Sequence, residues 1–307
     1  QPDGLSTLQN TIIDQLNEQL QELADKRNID TWSVYRIVLA GNTVMEHLFL
    51  GISPKYLAEI PFVPVFRAEQ RRKAGELNLK VHPAADVITL PIIGGYVGGD
   101  TVAMLLTLAD DLTGPWLAVD IGTNGEIVLV SNGSVFCCST AAGPAFEGGH
   151  LSCGMRAEDG AVYRVRYHPD GPQIKVIGNN RITGICGSGI IDGVNYMIQA
   201  DIIDNTGRIK QPGGNGPVAF KLCEHVFLTQ KDIREVQLAK GAIAAGIAIL
   251  LKRAGVAKEQ LRAIFLAGAF GQYIDKEAAV NIGLLPAIPL DRIHFIGNAA
   301  STGAELV

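Results

Sequence analysis

Clusters of glycine recur where apolar runs end, at residues 94–99, 122–125, 143–149, 187–189 and 268–271. Glycine alone adopts left-handed backbone at no steric cost and lets the chain pass close to a neighbour or a ligand. The pattern therefore asks for buried strands that deliver their carboxyl ends into tight turns, several of which open helices, and that is an α/β architecture. Glycine is 35 of 307 residues, above the usual ~7%. With 47% apolar residues, the chain can bury a core large enough for two domains of ordinary size. The formal net charge of −5 argues against a nucleic-acid groove or an anionic membrane surface, both of which require clustered Lys and Arg. A small molecule or a protein is the expected partner.

Apolar residues at Leu5, Leu8, Ile12, Ile13, Leu16, Leu20 and Leu23 recur at spacings of three and four, which predicts an amphipathic helix over 5–27. A strand at 34–39 then runs into Gly41-Asn42-Thr43 and a helix over 44–50. Residues 54–80 read as a proline-punctuated connection with a solvated basic cluster at Arg67, Arg71, Arg72 and Lys73. A strand at 87–90 leads through the first glycine cluster into a helix over 101–108. After Pro115 come three strands joined by glycine turns, an antiparallel meander over 116–138. A hairpin follows over 162–177, then a helix over 189–200. The longest helix starts at Thr229, with Asp232 completing a capping box, and stops at Gly255. Strands at 264–266 and 294–296 alternate with the last helices. The segments 37–42 and 264–269 repeat one device, a buried strand feeding a glycine turn, as two related halves would. No apolar run reaches the ~20 residues of a membrane span and no signal peptide opens the chain, so a cytoplasmic location is expected. The five cysteines, Cys137, Cys138, Cys153, Cys186 and Cys223, have no CxxC spacing and read as buried thiols of a reducing compartment.

The chemistry concentrates in few places. In Asp120-Ile121-Gly122-Thr123-Asn124-Gly125-Glu126, a strand-end carboxylate precedes a small-residue turn. Its backbone N–H groups can surround a phosphate while Asp120 holds Mg²⁺ or its water; an ordinary Asn-Gly hairpin is the alternative. Gly268, Ala269 and Gly271 form a turn against which an adenosine can lie, or a plain strand-to-helix connection. Gly187 and Ser188 open a helix whose N–H groups either meet a ligand or are capped by Ser188. Asp100 is an N-cap, or a second carboxylate able to orient an attacking hydroxyl or metal-bound water, or both. The loop containing Gly143, Pro144 and Glu147 carries more glycine, and a Glu, than packing a strand end requires.

Taken together, these residues resemble the acetate and sugar kinase, Hsp70 and actin superfamily, whose two ribonuclease-H-like halves clamp ATP. Residues 120–126 look like its second phosphate loop and 266–271 like its adenosine motif. The order of Gly99-Asp100, Asp120 to Thr123 and the glycine-proline loop is also similar to type III pantothenate kinases, in which the acidic residue matching Asp100 serves as base. A longer resemblance covers almost the whole chain. The segments 37–47, 61–64, 94–100, 120–126, 141–148, 152–156, 184–189, 229–238 and 265–271 look like the ATP-dependent reductive activators of corrinoid proteins. The resemblance implies ATP and Mg²⁺ as ligands, with Asp100, Asp120 and Glu126 as catalytic residues and Asp120 on the metal. It implies nucleotide contacts at Gly122, Thr123, Asn124, Gly125, Gly143, Gly187, Ser188, Gly268, Ala269 and Gly271. The implied activity returns a corrinoid (iron-sulfur) protein of a methyltransferase system from Co(II) to Co(I), the electron coming from a 2Fe–2S domain at the amino end.

The chain departs from that pattern in two respects. Before Val34 there is no Asp-x-Gly-Thr-Thr hairpin, the superfamily's first phosphate loop, and the electron-carrying cysteines are absent. The expectation is therefore two ribonuclease-H-like halves, 1–115 lacking its N-terminal strands and 116–307 with the adenosine motif, belonging to a longer activator. The other readings are a small-molecule kinase of the pantothenate type and a nucleotide-gated interaction module. A homodimer is possible through the glycine-rich helix around 241–251.

Overall fold

The stripe over 5–27 folds as α1 (Gly4–Arg27), ended by Asn28 in left-handed conformation, and seats Ile13 in a cluster with Phe49, Leu77, Leu79, Val81 and Val87. That cluster is the core of one of two units in the computed structural model, Gln1–Asp111 with Asn298–Val307; the other unit is Leu112–Gly297. The structure describes residues 3–108, 114–178, 181–210, 218–268 and 273–307. Among them, no helix is long and apolar enough to cross a membrane.

In the first unit, α1 is followed by β1 (Arg36–Leu39), α2 (Thr43–Phe49), β2 (Gln70–Lys73), β3 (Asp86–Thr89) and α3 (Gly99–Thr107). The sheet order is β1-β3-β2, with β1 parallel and β2 antiparallel to β3. The basic cluster thus corrects the loop expectation: Arg71, Arg72 and Lys73 belong to β2, and Lys73 Nζ lies 2.6 Å from Asp86 Oδ1 on β3. Gln-Arg-Arg-Lys is all polar and carries no alternation to announce a strand. Among the described residues β1 pairs with β3 alone, and its other side is an edge.

The second unit opens with the expected meander, β4 (Trp116–Ile121), β5 (Gly125–Ser131) and β6 (Ser134–Thr140). Next come β7 (Ala161–Arg166), β8 (Gln173–Val176) and β9 (Gly184–Ile185), which form a small sheet of order β8-β7-β9, and α4 (Gly187–Gln199), which packs on β7. The hairpin β10 (Ala219–Lys221) and β11 (Phe227–Thr229) leads into α5 (Gln230–Ala254), with the predicted Thr229–Asp232 capping box and Gly255 stop. Then follow β12 (Ala263–Ala267), α6 (Lys276–Asn281) and β13 (Ile293–Gly297). The main sheet has the order β13-β12-β4-β5-β6, with β12 parallel to β4 and β13, and α5 covers β5 and β6. A meander followed by helix, strand, helix, strand is the order of a ribonuclease-H-like half. The last helix, α7 (Ala299–Glu305), clusters with the first unit through α3.

Each unit contains a pair of adjacent parallel strands, β1 and β3 in one and β12 and β13 in the other, and in each a helix lies between the two strands in sequence, with the antiparallel β2 added in the first unit. The repeated device at 37–42 and 264–269 corresponds to β1 with its turn in one unit and to β12 with Gly268 in the other, Ala269 lying outside the described residues. All five cysteines are free thiols, and only Cys186 is fully buried, so the expectation of five buried thiols is too broad.

Candidate functional site

The carboxyl end of β4 lies in the middle of the main sheet, so whatever it carries is held rigidly on both sides. Asp120 stands directly opposite Glu126 on β5 and beside Ala267 on β12, and Glu126 stands opposite Ser139 on β6. Residues opposite one another across strands share a face. Asp120, Glu126 and Ser139 thus form one polar row at the sheet end, with Ser139 Oγ donating to Glu126 Oε1 at 3.3 Å. The turn between the strands, Gly122-Thr123-Asn124, is tied down twice. Gly143 N–H donates to Thr123 O at 2.9 Å, and Thr123 Oγ1 donates to Glu147 Oε1 at 2.7 Å. Glu147 ends the 3-10 turn Pro144–Glu147, against which α4 packs. It is the site residue whose role the sequence left unassigned; the glycine-rich loop around it was the only signal.

Gly268 continues β12 into this end of the sheet. Its φ of +88° is left-handed, its N–H bonds Gly297 O at 2.9 Å, and a Cβ built on it would stand 2.5 Å from Asp120 Oδ1. The glycine is required because the Asp120 carboxylate occupies the space. Gly122 differs: a Cβ there would meet nothing nearer than Asn124 O at 3.4 Å, so the fold itself tolerates a side chain. Ala269 and Gly271 lie outside the described residues.

Gly187 and Ser188 form the first turn of α4, and the capping expectation needs correction. The N-cap is Cys186, which makes no side-chain cap, while buried Ser188 donates its hydroxyl to Tyr163 O at 2.9 Å. Both Cys186 and Ser188 line a cavity of about 460 Å³ with Tyr163, Ile177 and Tyr273. A larger cavity, about 570 Å³, is lined by Asp201, Lys210, Ile233, Gln237 and Lys240 and contains none of the predicted site residues.

Asp100 belongs to the first unit. Gly98 is the N-cap of α3, so the N-cap reading of Asp100 is also corrected; it sits in the first turn, where its Oδ1 accepts from Thr101 N at 2.6 Å and Thr101 Oγ1 at 3.3 Å. Burial pushes its pKa above the usual carboxylate range, and these hydrogen bonds pull against that.

Among the described residues no three His, Cys, Asp or Glu converge as a metal-binding group. A magnesium nucleotide does not need one, because Mg²⁺ takes one or two carboxylates and completes its shell with phosphate and water. The acidic row at the hairpin fits polyphosphate only with such a cation, and Gly122 leaves room beside the turn for a phosphate oxygen.

Comparison with known proteins identifies the family. Residues 115–307 match the family described as the C-terminal domain of RACo, the ASKHA domain, and residues 1–111 match the RACo middle region. The corrinoid activation enzyme RamQ of Eubacterium limosum is 36% identical over 327 aligned residues, covering 99% of this chain and 55% of RamQ. A protein of Methanosarcina barkeri named as a Co(II) methylated amine-specific corrinoid protein reductase is 27% identical, covering 94% of this chain and 58% of its own length. The solved structure of a reductive activator for corrinoid, iron-sulfur protein superposes with a TM-score of 0.87 at 33% identity over 100% of this chain and 52% of that one. The chain thus spans about half the length of the relatives it matches. On these matches, and on a second unit built as a ribonuclease-H-like half, the chain belongs to the RACo family of corrinoid activators, within the ASKHA fold.

Proposed function

We propose that this chain is the ATP-binding and ATP-hydrolysing part of a reductive activator that returns a corrinoid protein of a methyltransferase system from Co(II) to Co(I). The observation that carries the reading is the Asp120 carboxylate at the end of β4, opposite Glu126 and against left-handed Gly268. Asp120 would hold Mg²⁺, and the backbone of Gly122, Thr123, Asn124 and Gly125 with Gly143 would face the phosphates. Gly268, with Ala269 and Gly271, would hold the adenosine. The apolar cavity lined by Tyr163, Ser188 and Tyr273 is of a size and character to take its base. Asp100 would orient the attacking water. When bound, ATP supplies the free energy for an uphill electron transfer whose electron comes from a 2Fe–2S domain elsewhere in the protein.

The halves would be 1–115 and 116–307, the first completed in the longer protein by strands carrying the first phosphate loop. The open edge of β1, beside an apolar groove lined by Leu16, Leu20, Ile37, Leu39 and Ala304, suits such a strand. A second copy of the protein would find exposed Leu238 and Ile249 on α5. The small-molecule kinase reading is not favoured, since the relatives of comparable coverage are corrinoid activators. In the intact protein, Asp120→Asn is expected to lower ATP-driven Co(I) formation at least 100-fold, followed by the corrinoid's visible spectrum; undiminished turnover would refute the assignment.

A further inference from the structure

Two helix starts of the first unit meet at one buried carboxyl. Glu46, in the first turn of α2, is fully buried. Its Oε1 accepts from Gly41 N at 3.4 Å, while Oε2 has no partner among the described residues. A Cβ on residue 99 would overlap Oε1, so glycine at the start of α3 is what lets the carboxyl in. The Gly41 peptide also serves the neighbouring acid, because Asp100 N donates to Gly41 O at 3.1 Å. One residue of the turn after β1 therefore bonds Glu46 through its N–H and the backbone of Asp100 through its C=O.

Two carboxyls in one desolvated corner cannot both ionise without a large cost. The donors decide between them. Asp100 receives the Thr101 N–H and hydroxyl, which favour its charged form. Glu46 has one long bond, from Gly41, and a bare oxygen. Burial first, and the charge of Asp100 after it, push Glu46 up to about 8. Asp100 is the charged group facing it from α3. On α2 itself His47 is held neutral: Nδ1 donates to Thr43 O at 2.7 Å, Nε2 accepts from Val65 N at 3.0 Å, and burial lowers its pKa.

We propose that Glu46 is a positioning residue for Asp100: its carboxyl carries the proton so that Asp100 keeps the negative charge, and it locks the starts of α2 and α3 at the spacing that aims Asp100. This rests on the reading of Asp100 as the group that orients water, and the test separates the two. In the intact protein, ATP hydrolysis by wild type should fall above about pH 8 as Glu46 ionises. Glu46→Gln, which mimics the protonated acid, should stay within about threefold of wild type at pH 7 and lose that fall, whereas Glu46→Ala should drop at least 30-fold at every pH. A hydrolysis profile of Glu46→Gln that follows wild type at all pH values overturns the proposal.

The second readout needs no nucleotide. A carboxyl raised in the folded state stabilises fully below its unfolded pKa, and that contribution is lost as pH rises toward the folded one. The thermal midpoint of wild type should therefore fall relative to Glu46→Gln as pH goes from about 5 to about 8, and the gap should then level off. Parallel midpoints across that window overturn the proposal whatever hydrolysis does. Diverging midpoints alongside hydrolysis that survives Asp120→Asn uphold Glu46 and sink the nucleotide-site assignment alone.

Discussion

Asp120 and Gly268 limit one another: the carboxylate fills the space a side chain at 268 would need, and the backbone there is left-handed as well. Gly268→Ala should cost roughly 1–2 kcal/mol from the backbone conformation alone. It should also displace Asp120 and weaken magnesium-nucleotide binding more than tenfold, both measurable by calorimetry. Gly122 provides the contrast. Nothing in the protein lies within 3.4 Å of a Cβ there, so Gly122→Ala should change unfolding free energy by less than about 0.5 kcal/mol. Binding should still weaken if the turn faces a phosphate; equal affinity for both proteins would place the phosphates elsewhere. Asp120 was legible as a strand-end carboxylate. Glu46 was not, because its significance arises from two turns more than fifty residues apart in sequence.

At the scale of elements, α5 owes its entry angle to one buried acid. Asp232 accepts from Thr229 N and Thr229 Oγ1, both at 2.8 Å, and from Ser152 N at 2.8 Å, so it caps the helix and also pins the loop that precedes β7. Thr229→Ala removes one side of the box and should cost about 1 kcal/mol. Asp232→Ala strands several buried donors and should cost about 2–3 kcal/mol, in the same chemical unfolding experiment. Equal losses would mean that the Ser152 bonds contribute nothing. The box and the Gly255 stop could be read from residue types at fixed spacing. The strand β2 could not, because its polar residues pair through backbone bonds and a cross-strand Lys73–Asp86 contact that leave no apolar alternation. The short strands β9, β10 and β11 were equally silent, being too brief for periodicity to register.

Taken whole, the two units rest on unequal cores. The second buries one continuous cluster running from Leu117 to Ile293, whereas the first has a smaller cluster around Ile13, Phe49 and Val87 and buries Ile88, Leu90, Ile92 and Met104 outside it. Its strand β1 also keeps one edge open among the described residues. Amide hydrogens of β1 should accordingly exchange at least 100-fold faster than those of β4 and β12, and a longer protein carrying the strands proposed to complete this unit should slow β1 at least tenfold. If β1 exchanges alike in both proteins, those strands do not pair there.

Local chemistry determined much of this protein: the meander, the Thr229–Asp232 box and Gly255 stop of α5, and the strand-end Asp120 all depend on neighbours within a few residues. Tertiary structure alone decided which glycines answer to the protein and which leave room for a ligand, why a polar tetrapeptide is a strand, and that Glu46 shares its corner with Asp100. These depend on atoms brought together across long stretches of chain, where burial and close approach set charge and conformation, and a linear sequence records no distances.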